Sequence, residues 1–250
     1  VVHHADSKTT DQIADLAANR TRARLNPKPG KTGTFPVMID RRVAGSILRH
    51  FARAINGGAI LRKTSFLGER LGQTIFNPSI SIMDDPLRKR GLASAITDSE
   101  GLKRRRQALV TDGVLNHFLL DLRSARRLNL SPNGCARRGL SSPPSPGSSN
   151  LSMQAGSTSV ADMIADIKDG FYVTEFMGSQ ISMTTGDYSR GASGFWIANG
   201  TLTHPVSQMT IAGNLKDMFM DMIPADDLEL RQSVESPSLL IRKMACASSA

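Results

Sequence analysis

The sequence predicts an α+β domain, predominantly β, with a few packed helices. Three observations carry this reading. Short β-type runs crowd the stretch from Phe171 to Gly213, a helix-period apolar stripe occupies residues 41–56, and strands and helices come in blocks rather than in alternation. With 250 residues, 40% hydrophobic and 21% charged, the chain is long enough to bury one large core. Only 5% of residues are aromatic while 11 are Met, so that core must rely on Ile, Leu, Val and Met packing.

Residues 5–26 read as an Arg-rich helix with Ile13, Leu16 and Ala17 at helical spacing, followed by a linker at Pro27, Pro29 and Gly30. Phe35 to Ile39 is a short apolar strand. The clearest helix is 41–56, where Val43, Ile47, Phe51 and Ile55 recur every fourth residue and Gly57-Gly58 supplies the stop. Asp40 is placed to cap it, offsetting two cations, Arg41 and Arg42, at the positive end of the helix dipole. Ser79 to Met83 is strand-like, ended by Asp84-Asp85-Pro86. Residues 108–120 read as a hairpin around Thr111-Asp112-Gly113, with Phe118 to Leu120 in its second strand. Residues 139–150 are loop. Ser159 caps a small helix carrying Met163, Ile164 and Ile167, with Gly170 as its stop. Strands follow at 171–177, 181–185 and 194–198, then an Asn199-Gly200 turn, a strand resuming at Thr201, and another at 208–212. Asn214 caps a last helix carrying Leu215, Met218, Phe219 and Met222.

The formal net charge is +9, and it is concentrated. Residues 88–138 hold twelve Lys and Arg against four acids. Such a field attracts an acidic protein surface or nucleic acid, but the aromatic interleaving of a single-strand binder is absent. No apolar run approaches the roughly 18 residues needed to span a bilayer. Val1, Val2, His3 and His4 do not open a signal peptide, and Cys135 and Cys246 read as free thiols of a reducing compartment. The cytoplasm is therefore the expected location.

Most catalytic patterns fail on spacing. Gly30-Lys31-Thr32 lacks the phosphate-loop glycine five residues earlier, where Leu25 stands. No two of the five histidines lie at i, i+4, and each reads as a hydrogen-bonded or surface side chain. No nucleophile elbow surrounds Ser193. Asp84-Asp85 and Asp226-Asp227 read as solvated turn residues. Gly186 to Gly191, Gly-Asp-Tyr-Ser-Arg-Gly, reads as a polar loop between strands. It could grip an extended backbone, or brace the sheet through an Asp187–Arg190 pair.

The runs Gly170 to Gly178 and Thr185 to Trp196 resemble the signature of the TldD/PmbA family (the modulator of DNA gyrase family), in its TldE/PmbA branch. Asn199-Gly200, Pro205-Val206, Thr210 to Met218, Asp84 to Arg88, Asp121 to Leu128 and Ser145 to Leu151 fit the same pattern, across roughly residues 8–245. The resemblance implies that residues 1–33 are the remnant of an α/β N-terminal domain plus linker, and 34–250 the C-terminal α+β domain.

In this family the catalytic partner carries zinc on a helical HExxxH motif plus a late cysteine. Here Arg41 and Ser46 stand in the two histidine positions and Arg42 in that of the glutamate, and no cysteine occurs near Ser233 to Glu235. A guanidinium offers no lone pair to a metal. The resemblance therefore implies a non-catalytic, zinc-free subunit of a heterodimeric metallopeptidase. Zinc is expected in the TldD-like partner, an extended peptide is the expected substrate, and a homodimer is allowed in isolation. Asp187, Tyr188 and Arg190 are the expected contacts to partner or peptide. The alternative from another class is a nucleic-acid or topoisomerase binding module acting through residues 88–138.

Overall fold

The computed structural model describes residues 2–248. After a 3-10 turn at His4–Asp6, its helices are α1 (Thr10–Ala23), α2 (Arg41–Ala54), α3 (Gly57–Leu61), α4 (Leu122–Leu128), α5 (Val160–Ala165) and α6 (Leu215–Asp221). Its strands are β1 (Gly33–Ile39), β2 (Ile82–Asp84), β3 (Gln107–Thr111), β4 (Val114–Leu115), β5 (Ala136–Arg137), β6 (Ser145–Pro146) and β7 (Leu151–Met153). These are followed by β8 (Asp169–Ile181), β9 (Asp187–Ala198), β10 (Thr201–Asn214), β11 (Met222–Pro224), β12 (Val234–Glu235) and β13 (Leu239–Ser248). The class is mixed α and β with more strand than helix, as the sequence predicts.

The large sheet runs β1-β8-β9-β10-β13-β11, and β1 also pairs with β13. Five strands therefore close into a ring, with β1–β8 the parallel contact. Residues 245–248 of β13 pair with β10, while Leu239 to Ile241 pair with β11, so α6 bridges two strands sharing one edge. Closure leaves the inward side chains to fill the interior. Phe171, Val173, Ala192, Trp196 and Ile211 do so, each at most 2% exposed. A second sheet, β12-β7-β2-β3-β4, lies beyond α2.

α2 forms because its apolar positions fall on one face: Ile47, Leu48, Phe51 and Ile55 are buried and Val43 packs at the margin. Gly45 lets the helix approach β12; a Cβ there would sit 2.9 Å from the Val234 carbonyl oxygen. Both predicted tight turns have left-handed residues, Asp112-Gly113 (φ 47° and 81°) and Asn199-Gly200 (φ 48° and 76°). A smaller core of Met38, Met163, Ile164 and Ile197 forms beneath α5.

Several expectations need correction. Gly57-Gly58 does not simply stop α2; the chain turns at Ile55, and Asn56 caps α3, which starts at Gly57. Gly170 lies inside β8, not at a helix stop, and 182–185 form a turn rather than strand. Phe118 to Leu120 are buried but outside any strand. Gly186 to Gly191 is not a loop: from Asp187 onward it is β9, paired with both β8 and β10. Neither acidic pair is merely solvated. Asp84 is 2% exposed and accepts from the Ser149 amide and hydroxyl, and Asp227 accepts from the Ser238 amide at 2.7 Å.

Candidate functional site

The start of α2 opens onto a cleft of about 400 Å³. One wall is Arg41 and Arg42, the second is the apolar face of α1 (Ile13, Leu16, Ala17), and the third is the segment 229–236. The α1 face has no buried residue of its own, so its apolar side chains line the cleft rather than a core.

Each charge at this helix start is held. Asp40 accepts from the Arg42 amide at 2.9 Å, and its carboxylate also takes Arg42 Nε at 2.8 Å and the Tyr172 hydroxyl at 2.8 Å. Burial alone would raise the Asp40 pKa. The hydrogen bonds from Arg42 and Tyr172 together outweigh it and hold the carboxyl below its ordinary value. Arg41 reaches Glu229 and lies 3.8 Å from Asp227, while its amide donates to Ser238 Oγ at 3.0 Å. The Arg41 contact lowers the Glu229 pKa. Arg231 pairs with Glu229 at 2.8 Å, and Glu235 accepts from the Arg231 and Gln232 amides. The dipole cost of Arg41 and Arg42 is thus met by Asp40, Asp227 and Glu229.

Of the three positions that the resemblance matches to the zinc motif, Arg41 and Arg42 line this cleft opposite Arg231 to Ser236, and Ser46 does not. Their chemistry does not fit a metal. Two guanidiniums offer no donor, and Glu229 is an ion-pair partner at depressed pKa rather than a poised base. Among the described residues no three His, Cys, Asp or Glu side chains form a metal-holding group. The first amides of α2 are already taken by Ser238 and Asp40, so what the cleft offers is a charge-paired rim beside the apolar face of α1.

Ser46 lies one turn further along α2, outside the lining of this cleft, its hydroxyl buried without a hydrogen-bond partner. His50, one turn beyond Ser46, is 8% exposed and neither ring nitrogen has a partner, which corrects its reading as hydrogen-bonded or surface. Its ring stands edge-on to Tyr188 with centroids 6.1 Å apart. Burial, and then the positive charge of Arg190, Arg53 and Arg49, bring its pKa down to about 4.

Asp187, Tyr188 and Arg190 do not act as one group. Asp187 is exposed and binds Thr185 and Asn214, with no Asp187–Arg190 brace. Tyr188 is 2% exposed and points into the core. Arg190 donates to the Gly178 carbonyl at 3.0 Å and lies over the Phe176 ring at 4.4 Å, tying down the β8–β9 tip. α2 thus meets members of both predicted sets, carrying Arg41 and Arg42 in its first turn and touching Tyr188 through His50 in its third. Sequence reasoning missed Asp227, Glu229 and Glu235, because it sought only a cysteine there; the signal was the alternating charge of Glu229 and Arg231.

Residues 32–248 match the family model described as the PmbA/TldA metallopeptidase C-terminal domain. The chain is 37% identical over 244 residues to the metalloprotease PmbA of Escherichia coli O157:H7, covering 97% of this chain and 52% of that protein. It is 37% identical over 234 residues to the PmbA homolog of Haemophilus influenzae, covering 93% and 50%. The chain therefore spans about half the length of these relatives. Among solved structures, a protein described as a modulator of DNA gyrase from Bacteroides thetaiotaomicron matches with TM-score 0.85 at 29% identity, covering 94% of this chain and 52% of that one. TldE from Thermococcus kodakarensis matches in fold, with TM-score 0.83 at 19% identity, covering 95% and 55%. A family match over residues 32–248, curated relatives at 37% identity and a solved structure at TM-score 0.85 agree: the chain belongs to the PmbA/TldA metallopeptidase C-terminal domain family.

Proposed function

We propose that this chain is the non-catalytic subunit of a paired metallopeptidase acting on extended peptides, with zinc, base and water supplied by a TldD-like partner. One observation carries the reading: Arg41 and Arg42, which the resemblance matches to the zinc motif, are locked into ion pairs with Glu229, Asp227 and Asp40. Support also comes from the relatives, since identity is 37% to PmbA proteins and 27% to a TldD homolog. In this role the α1–α2 cleft guides peptide, and residues 1–33 belong to the preceding domain of the assembly. The cytoplasm remains the proposed location; no helix of the described residues is long and apolar enough to cross a membrane.

The test is reconstitution. The chain co-expressed with a TldD-like subunit is expected to co-purify with it and to raise casein cleavage, while the chain alone cleaves nothing. Chelator-sensitive cleavage by the chain alone would overturn the reading.

A second expectation concerns the β8–β9 tip. Arg190→Ala removes a stacked cation and one hydrogen bond at a partly exposed site, costing about 1 kcal/mol. Cleavage by the assembled pair should fall severalfold with the fold retained. A variant that loses cooperative melting without affecting cleavage per folded molecule would mark Arg190 as a brace only.

A further inference from the structure

Apart from the α1–α2 cleft, a concavity of about 570 Å³ opens between the end of α3, α4 and the loop 142–146. Its charged lining is Arg62, Arg123 and Arg127, all exposed. Among the described residues, none of the three has an acid within ion-pair distance. The carboxylate in the lining, Asp121, is 6% exposed and committed to capping α4 through the Ser124 amide at 2.7 Å. Three uncompensated guanidiniums around one hollow repel one another and draw in anions.

The hollow is a built feature. Asn56 caps α3 through the amides of Gly58 and Ala59, and its Nδ2 donates to the Pro146 carbonyl at 2.7 Å. The β5–β6 pairing holds Ser145 and Pro146 to Ala136 and Arg137. Gly57 brings α3 against α4, where a Cβ would lie 2.6 Å from Ser124 Oγ. All three walls are therefore fixed to one another. The wall facing the arginines carries Pro143, Pro144 and Pro146, which present apolar rings and no N–H donor. A second arginine-lined hollow, with Arg105 and Arg106, opens beside Leu120 and extends the positive field.

We propose that this cleft docks an extended acidic segment of a partner protein, its carboxylates on the three guanidiniums and its backbone along the prolyl wall. Arginine forks match carboxylates in bidentate geometry. Nucleic acid fits less well. No aromatic side chain lines the cleft for base stacking, and α4 is seven residues long with Ser124 and Ala125 buried, so it presents no helix to a groove. A second copy of the chain is a poor occupant, since its net charge is +9 and its acids form no run longer than two. The proposal stands independently of the peptidase reading.

The test titrates the chain against fluorescein-labelled deca-glutamate, deca-lysine and a short DNA duplex, read by anisotropy at low and moderate salt. Deca-glutamate is expected to bind, more weakly as salt rises. The triple variant Arg62→Gln, Arg123→Gln, Arg127→Gln is expected to weaken it about tenfold or more, each charge-assisted contact being stronger than a neutral one. Arg22→Gln with Lys243→Gln, two exposed cations that line neither cleft, should change it less than about twofold. Hydrogen exchange on the unaltered chain should show protection at 56–62, 121–127 and 142–146, and decides the matter if the triple variant misfolds. Absence of binding, unchanged affinity in a folded triple variant, protection elsewhere, or tighter binding of duplex DNA at equal salt would overturn the proposal.

Discussion

Phe219→Ala is expected to lower the free energy of unfolding by about 3–5 kcal/mol. Phe219 is fully buried on α6 and stacks on Phe76 with ring centroids 4.3 Å apart. Phe51 of α2 meets Phe76 edge-on at 5.3 Å and Phe219 at 6.4 Å, and Phe66 lies 6.1 Å from Phe219. Removing the shared ring leaves a cavity bounded by three aromatics whose backbones are fixed by separate elements, so collapse is limited and the cost falls at the upper end. Equilibrium urea unfolding measures it. A loss below about 1 kcal/mol would mean that the cluster repacks and does not fix α2.

That cluster has a functional side. α2 carries Arg41 at one end and His50 near the other, and Phe51 anchors it to α6. A helix free to slide would carry Arg41 away from Asp227 and Glu229. In the proposed assembly, Phe219→Ala should therefore lower activity per folded subunit as well as stability, although residue 219 lies outside the lining of the α1–α2 cleft.

What the sequence made legible follows from local physics. α2 was readable because four apolar side chains at four-residue spacing admit one buried face. The two hairpin turns were readable because Asp-Gly and Asn-Gly tolerate positive φ. The closed ring was not readable, because the pairing of β1 with β13 joins residues about two hundred positions apart and leaves no local mark. The stretch 186–191 was misread as a loop for a related reason. Its glycines and charges lack strand character by composition, yet two neighbouring strands supply the ladder. The family resemblance directed attention to the first turn of α2, but a search for metal ligands there could not show that Asp40, Asp227 and Glu229 pair with Arg41 and Arg42.

The second large effect is expected on acidification. His50 is neutral in the fold because burial, and then nearby arginines, bring its pKa down from 6.5 to about 4. Between those values the unfolded chain takes up a proton that the folded chain refuses, so stability is present above pH 6.5 and is lost as pH falls toward 4. The cost attributable to this ring at pH 5 is roughly 2 kcal/mol. Other groups titrate as well. Asp40, held low by its hydrogen bonds, loses stability only below its ordinary carboxyl range, and Asp84, raised by burial, gains stability on acidification. The measurement must therefore be a difference. His50→Phe keeps an aromatic ring opposite Tyr188 and removes the titrating group, at a small packing cost. Urea unfolding of both proteins at pH 7.5 and pH 5 should show the variant losing roughly 2 kcal/mol less than the wild type. Parallel losses in the two proteins would mean that His50 accepts its proton without penalty, which would require an acceptor or a path to water beside Tyr188 and Ser46.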